Sequence, residues 1–148
     1  MARSILAVIV GYVVMFLFIF VLFTGLYLLL GANASFKPGS YRPSILWLAL
    51  STPLAFGAAI IGGYVCAALA RGGRAPLALA VLVLVLGVIC AVPVLMAPDA
   101  NAVRTSDVSN MEAMQKANEP TGVALTNPLL GAAGVLVGSW LRRKRAAG

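Results

Sequence analysis

Four long apolar runs without an acidic or basic side chain limit the folds open to this chain more than any other feature. They cover residues 5–30, 45–70, 76–96 and 123–141. The hydrocarbon core of a bilayer is about 30 Å thick, which about 20 residues of α-helix can cross. A lone strand cannot satisfy its backbone in lipid, so each run is predicted to be a helix. The predicted fold is an all-α membrane protein, a four-helix transmembrane bundle.

The composition is consistent with lipid as the solvent of this protein. Of its 148 residues, 61% are hydrophobic and only 10% are charged, whereas a soluble domain carries roughly 25% charged residues. The length predicts a single transmembrane domain over residues 1–148. The formal charge of +7 raises nucleic acid as a partner, but the basic residues lie in short loops and at the C-terminus. We therefore interpret them as topology signals and expect no nucleic acid partner.

The distribution of basic residues predicts the orientation in the membrane. With the N-terminus inside, the cytoplasmic side carries seven bases and no acid, and the other side carries four bases and all four acids. The positive-inside rule then places both termini in the cytoplasm. The same basic residues could bind anionic lipid headgroups. The residues assigned to topology and lipid binding are Arg71, Arg74, Arg142, Arg143, Lys144 and Arg145.

The stretch 97–122 is predicted to be a polar outer loop that contains one short helix. Ser109 and Glu112 have the spacing of a capping box, which predicts a helix over about residues 110–118 that ends before Pro120. On the topology above, this helix is extracytoplasmic. The connection 31–44, with its glycines and prolines, is predicted to be nonhelical.

Prolines and both cysteines lie inside the predicted spans, and Pro93 is expected to kink or end the third span near its exit. Pro53 and Pro128 each remove a backbone hydrogen bond, so we expect a bend near each of them. Cys66 and Cys90 would lie near opposite faces of the bilayer, too far apart in depth for a disulfide. We predict that both are buried, unpaired thiols.

Small residues recur at helical spacing in the second and fourth spans. In the second span they recur every four residues and form one smooth ridge, and in the fourth span a GxxxG pair provides a similar surface. Such surfaces let helix backbones approach closely in lipid. The predicted helix-packing residues are Ala55, Ala59, Gly63, Ala67, Gly134 and Gly138.

The chemistry of the spans argues against several classes of membrane protein. The chain has no histidine, which disfavours haem and many metal sites. Proton-coupled carriers, small multidrug-type exporters and intramembrane proteases usually need an ionisable group at membrane depth, and none is present in the predicted spans. We expect no catalytic residue, no metal ligand and no cofactor, and therefore no enzyme.

Three segments resemble a loose group of small four-span bacterial inner-membrane proteins of unknown function. They are RSILAVIVGYVV at residues 3–14, GGYVCAALAR at residues 62–71 and NPLLGAAGVLVGSWLRRKR at residues 127–145. The resemblance implies a multi-pass protein of the bacterial cytoplasmic membrane. It implies no functional residue.

Two functions fit these features. The first is a non-catalytic accessory or scaffolding protein, whose small-residue ridges engage a larger membrane complex or a homo-oligomer. The alternative is an oligomeric transporter or channel that binds a small solute or a lipid, lined by Ser51, Thr52 and Tyr64. The scaffold requires a neighbouring helix on the ridge, whereas the transporter requires a continuous cavity.

Overall fold

The computed structural model describes residues 2–70, 73–96, 104 and 108–147, and Arg71 lies outside the described residues. The described chain forms five helices, α1 (Ala2–Ser35), α2 (Ile45–Ala70), α3 (Ala75–Met96), α4 (Asn110–Lys116) and α5 (Thr121–Ala147). Helices α1, α2, α3 and α5 are long and apolar enough to cross a membrane. The described residues form no strand, only an isolated bridge between Phe36 and Pro43. The prediction of an all-helical protein with four candidate spans is confirmed.

The boundaries of the helices differ from the prediction at a few places. Helix α1 continues into the predicted loop as far as Ser35, and Gly31 interrupts it with a positive φ of 70°. Helix α5 begins before residue 123 and extends through the basic C-terminal residues. Pro53 and Pro128 lie inside helices that remain continuous around them.

The predicted Ser109 cap at the start of α4 is confirmed, whereas the Glu112 carboxylate accepts hydrogen bonds from Tyr41 and Lys116. The Ser109 side chain accepts a hydrogen bond from the backbone N–H of Glu112, at 3.3 Å. Helix α4 ends at Lys116, two residues before the predicted end, and Ala117 is its C-cap. Ala113 is the buried residue of this helix and packs with Tyr27 and Phe36 in a small cluster.

The four long helices form a bundle in which α1 and α5 each pack against both α2 and α3. Helices α2 and α3 also contact each other. Gly87 of α3 lies against Pro128 of α5, and Gly131 of α5 lies against Val83, so these two helices are antiparallel. Because α2 and α3 are joined by a short turn and are also antiparallel, α2 and α5 run in the same direction.

This arrangement brings the N-terminus, the turn after α2 and the C-terminus to one end of the bundle, which we call the basic end. Arg3 Nε donates a hydrogen bond to the Leu69 carbonyl oxygen at 2.9 Å, and Arg74 and Arg143 line one shared pocket. We call the opposite end, which carries α4 and the connection between α1 and α2, the loop end.

The bundle core is packed most tightly toward the basic end. Leu79, Cys66 and Val135 are fully buried there. Both cysteines are free, as predicted, but Cys90 is exposed, so the prediction that both are buried is wrong for this residue. Cys90 borders an open space between the helices, and an apolar thiol is as acceptable there or in lipid as in a packed core.

Candidate functional site

The small residues of α2 are divided between a helix contact and two cavities. A Cβ atom on Gly63 would overlap the Val135 carbonyl oxygen, and one on Gly134 would lie 2.7 Å from Ala59 Cβ. A Cβ atom on Gly138 would overlap the Ile60 carbonyl oxygen. Ala59, Gly63, Gly134 and Gly138 are therefore brought together in the contact between α2 and α5.

The two ends of the predicted ridge do not take part in this contact. Ala55 lines a cavity inside the bundle, and Ala67 lines a pocket at the basic end. The sequence analysis treated all four positions as one continuous surface because their spacing is uniform. The helices contact each other over only part of that surface.

Helix α1 makes a close contact that the sequence analysis did not identify. A Cβ atom on Gly11 would lie 2.8 Å from Cys66 Cβ, and one on Gly62 would lie 2.8 Å from both the Gly11 carbonyl oxygen and Met15 Cβ. These distances are shorter than ordinary contacts between carbon atoms, which are about 3.5–4.0 Å. The sequence feature that indicates this contact is the adjacent pair Gly62 and Gly63, which pack against opposite neighbours, α1 and α5.

A partly open cavity of about 310 Å³ lies in the half of the bundle nearer the loop end, and we call it the interior cavity. Its walls come from α1, α2, α3 and α5 and are mostly apolar. Many of its lining residues are small, which leaves unfilled space between helices that are in contact elsewhere. These small lining residues are Thr52, Ala55, Ala59, Gly87, Ala91, Ala124 and Gly131.

A second cavity of about 250 Å³ lies beside the first, under α4, and we call it the aromatic cavity. Ile19, Phe23 and Glu119 line both cavities, so the two are adjacent. The rings of Phe23 and Trp47 meet edge to face at 5.8 Å between centroids, and those of Tyr27 and Trp47 at 6.4 Å. The aromatic lining residues are Phe16, Phe20, Phe23, Tyr27, Phe36 and Trp47.

Hydrogen bonds attach the cover of the aromatic cavity to the helices below it. The Tyr27 hydroxyl donates to the Val108 carbonyl oxygen at 2.6 Å, and Asn110 Nδ2 donates to the Thr24 hydroxyl at 3.3 Å. The Tyr41 hydroxyl donates to Glu112 Oε1 at 2.9 Å. Helix α4 is therefore held over the cavity by polar contacts with α1 and with the connection that follows it.

Glu119 is the one acidic residue among the described residues that line either cavity. It lies between α4 and α5, is half-buried, and its Oε2 accepts a hydrogen bond from Asn127 Nδ2 at 3.3 Å. Burial raises the pKa of the Glu119 carboxyl, and the bond from Asn127 partly offsets this effect. The sequence analysis missed this residue, because a glutamate in a polar loop next to a proline normally points into water.

The residues expected to line a pathway are not gathered in one place. Thr52 lines the interior cavity, whereas Ser51 is buried outside its lining and Tyr64 lines a shallow pocket near the C-terminus. Ser51, Thr52 and Tyr64 therefore do not define a continuous channel. The polar residues that line the interior cavity are Thr52, Asn127 and Glu119, together with small and apolar side chains.

The basic end has its own pocket of about 320 Å³, lined by Arg74, Arg143 and Ser139. Arg143 Nη2 lies 3.4 Å from the Ser139 hydroxyl. Lys144 stands over the Trp140 ring, 5.3 Å from its centroid, and with Arg145 it lines the neighbouring shallow pocket. Arg142 also belongs to the last turns of α5. Four of the predicted lipid-binding residues thus meet in two neighbouring pockets at one end of the bundle.

The part of the chain that the structure describes contains no cluster of metal-ligating side chains. No three of its histidine, cysteine, aspartate or glutamate side chains come together. A scan against protein-family models and searches of curated proteins and solved structures found no match to this chain. The structural features that indicate a function are therefore the two cavities and Glu119.

Proposed function

We propose that this protein is a small integral membrane protein that binds an amphipathic molecule inside its helical bundle. This proposal keeps the ligand binding of the alternative function, an oligomeric transporter or channel for a small solute or a lipid, and does not require transport. The observation that carries it is the interior cavity, with small apolar walls and a single carboxylate at the loop end. Ligand sites typically enclose about 300–1,000 Å³ and combine apolar walls with a few polar groups.

The small-residue contacts also favour this function over scaffolding through the same surfaces. Gly63, Gly134 and Gly138 lie against backbone of the same chain, so a partner helix would have to displace α2 or α5 to use them. An accessory role in a larger complex or a homo-oligomer stays a prediction that involves other faces of the bundle. We expect no catalysis in either case.

The proposed location is the bacterial inner membrane, with both termini and the basic end in the cytoplasm. The charge distribution supports this orientation, because Arg3, Arg74 and the C-terminal bases belong to one end. In this orientation the pocket of Arg74 and Arg143 lies at the level of the cytoplasmic headgroups. We propose anionic headgroups as its partners.

Ligand binding can be tested with a matched pair of substitutions on α3. Ala91 is buried and lines the interior cavity, whereas Ala78 is exposed on the outside of the same helix. Ala91→Leu adds three carbon atoms to the cavity, and Ala78→Leu adds the same atoms toward lipid. The probe is 1-decanol, a neutral amphiphile, titrated into protein in lipid nanodiscs with protein-free nanodiscs as the blank.

The expected result is saturable binding of 1-decanol to the wild type and to Ala78→Leu. Ala91→Leu should weaken it about tenfold or more, since each buried methylene contributes about 0.8 kcal/mol. Binding that is equal in all three proteins, or no binding above the blank, would contradict the proposal.

A further inference from the structure

The aromatic cavity lies where the head of a bound molecule would be if its chain fills the interior cavity. The two cavities share Ile19, Phe23 and Glu119, so they are adjacent at the carboxylate. The interior cavity is mostly apolar, whereas the aromatic cavity also presents Thr24, Ser35 and Asn110. This division matches a chain with a polar head.

The walls of the aromatic cavity are suited to a cation. Six aromatic rings line it, and the edge-to-face contacts of Trp47 with Phe23 and Tyr27 hold three of them in fixed orientations. The face of an aromatic ring carries negative charge density and attracts ammonium groups, and cages of such rings bind quaternary ammonium compounds.

The charged residues around the two cavities also favour a positively charged ligand. Glu119 lines both, and among the described residues it forms no ion pair, whereas Glu112 is paired with Lys116 at 2.9 Å. Neither cavity is lined by a described lysine or arginine. A half-buried carboxylate without a counter-charge is costly even when it accepts a hydrogen bond, and a cationic ligand would supply the missing charge.

Ser35 adds an unused polar group to the same cavity. It is 1% exposed and lines the aromatic cavity, and its hydroxyl has no hydrogen-bond partner among the described residues. Buried polar groups in proteins are normally hydrogen-bonded, and exceptions need an explanation. A polar ligand head or a water molecule bound with it would provide the missing partner.

We propose that the ligand is a lipophilic ammonium cation, with its apolar chain in the interior cavity and its head among the aromatic rings beside Glu119. This inference rests on the proposed function and specifies its ligand class. Cation binding favours the ionised carboxylate, so it releases a proton wherever Glu119 was protonated. Affinity for a permanent cation therefore rises with pH through the pKa of Glu119 and is constant above it.

The test compares decyltrimethylammonium with 1-decanol, which has the same chain without the charge. Both are titrated into wild-type protein, Glu119→Gln and Lys37→Gln in nanodiscs, with protein-free nanodiscs as the blank. Glu119→Gln keeps the size of the side chain and removes its charge. Lys37→Gln is the control for removal of a charge at the loop end, because the Lys37 side chain is exposed and lines neither cavity.

The wild type is expected to bind decyltrimethylammonium about tenfold or more tightly than 1-decanol above the pKa of Glu119. Glu119→Gln should lose most of that preference and all of its pH dependence, and should keep its affinity for 1-decanol. Lys37→Gln should behave as the wild type. A second variant, Trp47→Leu, should weaken cation binding and leave 1-decanol binding within about twofold, because ring attraction acts on the charge.

Two results would overturn the inference, and they have different meanings. If 1-decanol binds and the cation binds no more tightly, or if Glu119→Gln keeps the preference, the cavity takes an amphiphile but the cationic class is wrong. If neither compound binds above the blank, the proposed function itself has failed, and this inference fails with it.

Discussion

A single methyl group at Gly63 should destabilise the bundle, because no side chain can move aside for it. An added Cβ would overlap the Val135 carbonyl oxygen and would lie 2.6 Å from Val135 Cα. Carbon atoms in contact are normally about 3.5–4.0 Å apart, so α5 has to move away from α2 by roughly 1 Å.

The expected cost follows from two opposing effects of Gly63→Ala. Overpacking of a close contact costs about 1–3 kcal/mol, and replacement of glycine in a helix by alanine recovers about 0.5–1 kcal/mol. Because the contacted atoms are backbone, we expect the cost to lie near the upper limit and the net destabilisation to be about 2–2.5 kcal/mol. Gly57→Ala on the same helix provides the control, since a Cβ there meets nothing within 4 Å.

The assay is unfolding of each variant in mixed micelles by titration with sodium dodecyl sulfate, followed by circular dichroism. Gly63→Ala should unfold at a lower detergent fraction than the wild type, and Gly57→Ala at the same fraction or a higher one. Equal midpoints for the two variants would refute the close contact between α2 and α5.

Three further predictions concern the two ends of the bundle. Because burial raises the pKa of Glu119, the ligand-free protein should lose stability as the pH rises from about 4.5 through that raised pKa. Thermal unfolding measured between about pH 4 and pH 8 should show this loss in the wild type and not in Glu119→Gln. Ser109→Ala removes the cap of α4 at a local cost of about 0.5–2 kcal/mol, so amide hydrogen exchange at Glu112 should accelerate while exchange in α5 is unchanged. Arg143→Gln should weaken retention of anionic lipids, measured by native mass spectrometry, by about 1 kcal/mol, and unchanged retention would argue against a headgroup site at the basic end.

The number and type of the long helices could be predicted because lipid permits few alternatives. A backbone in hydrocarbon must satisfy its own hydrogen bonds, so the apolar run 77–86, rich in valine and leucine, forms part of α3 despite its strand-like composition. The cap at Ser109 could also be predicted, because it depends on residues three positions apart. Both inferences rest on local rules.

The candidate site could not be predicted because it depends on which small residues meet a neighbour. Ala55 and Ala59 are one turn apart and look equivalent in sequence. Both line the interior cavity, and Ala59 also lies against Gly134 in the contact between α2 and α5. Small side chains permit close packing and equally leave space where helices diverge. Spacing alone does not distinguish these outcomes.

The position of Glu119 beside the cavities could not be predicted for a related reason. Its position in a polar loop indicates a solvated charge, and only the tertiary structure brings it beside Asn127 and against the ends of two cavities. The absence of acidic residues from the spans therefore did not exclude a carboxylate at the end of the interior cavity. A loop residue can reach a bundle interior when the helix after it begins at the same level.

The location of a bound chain would test the central claim most directly. Crystals grown with decyltrimethylammonium that carries a bromine atom at the chain end would reveal the bromine by anomalous scattering. We predict a peak in the interior cavity between Thr52 and Ala91, both of which line it. A bromine peak found only on the outer, lipid-facing surface of the helices would contradict the account.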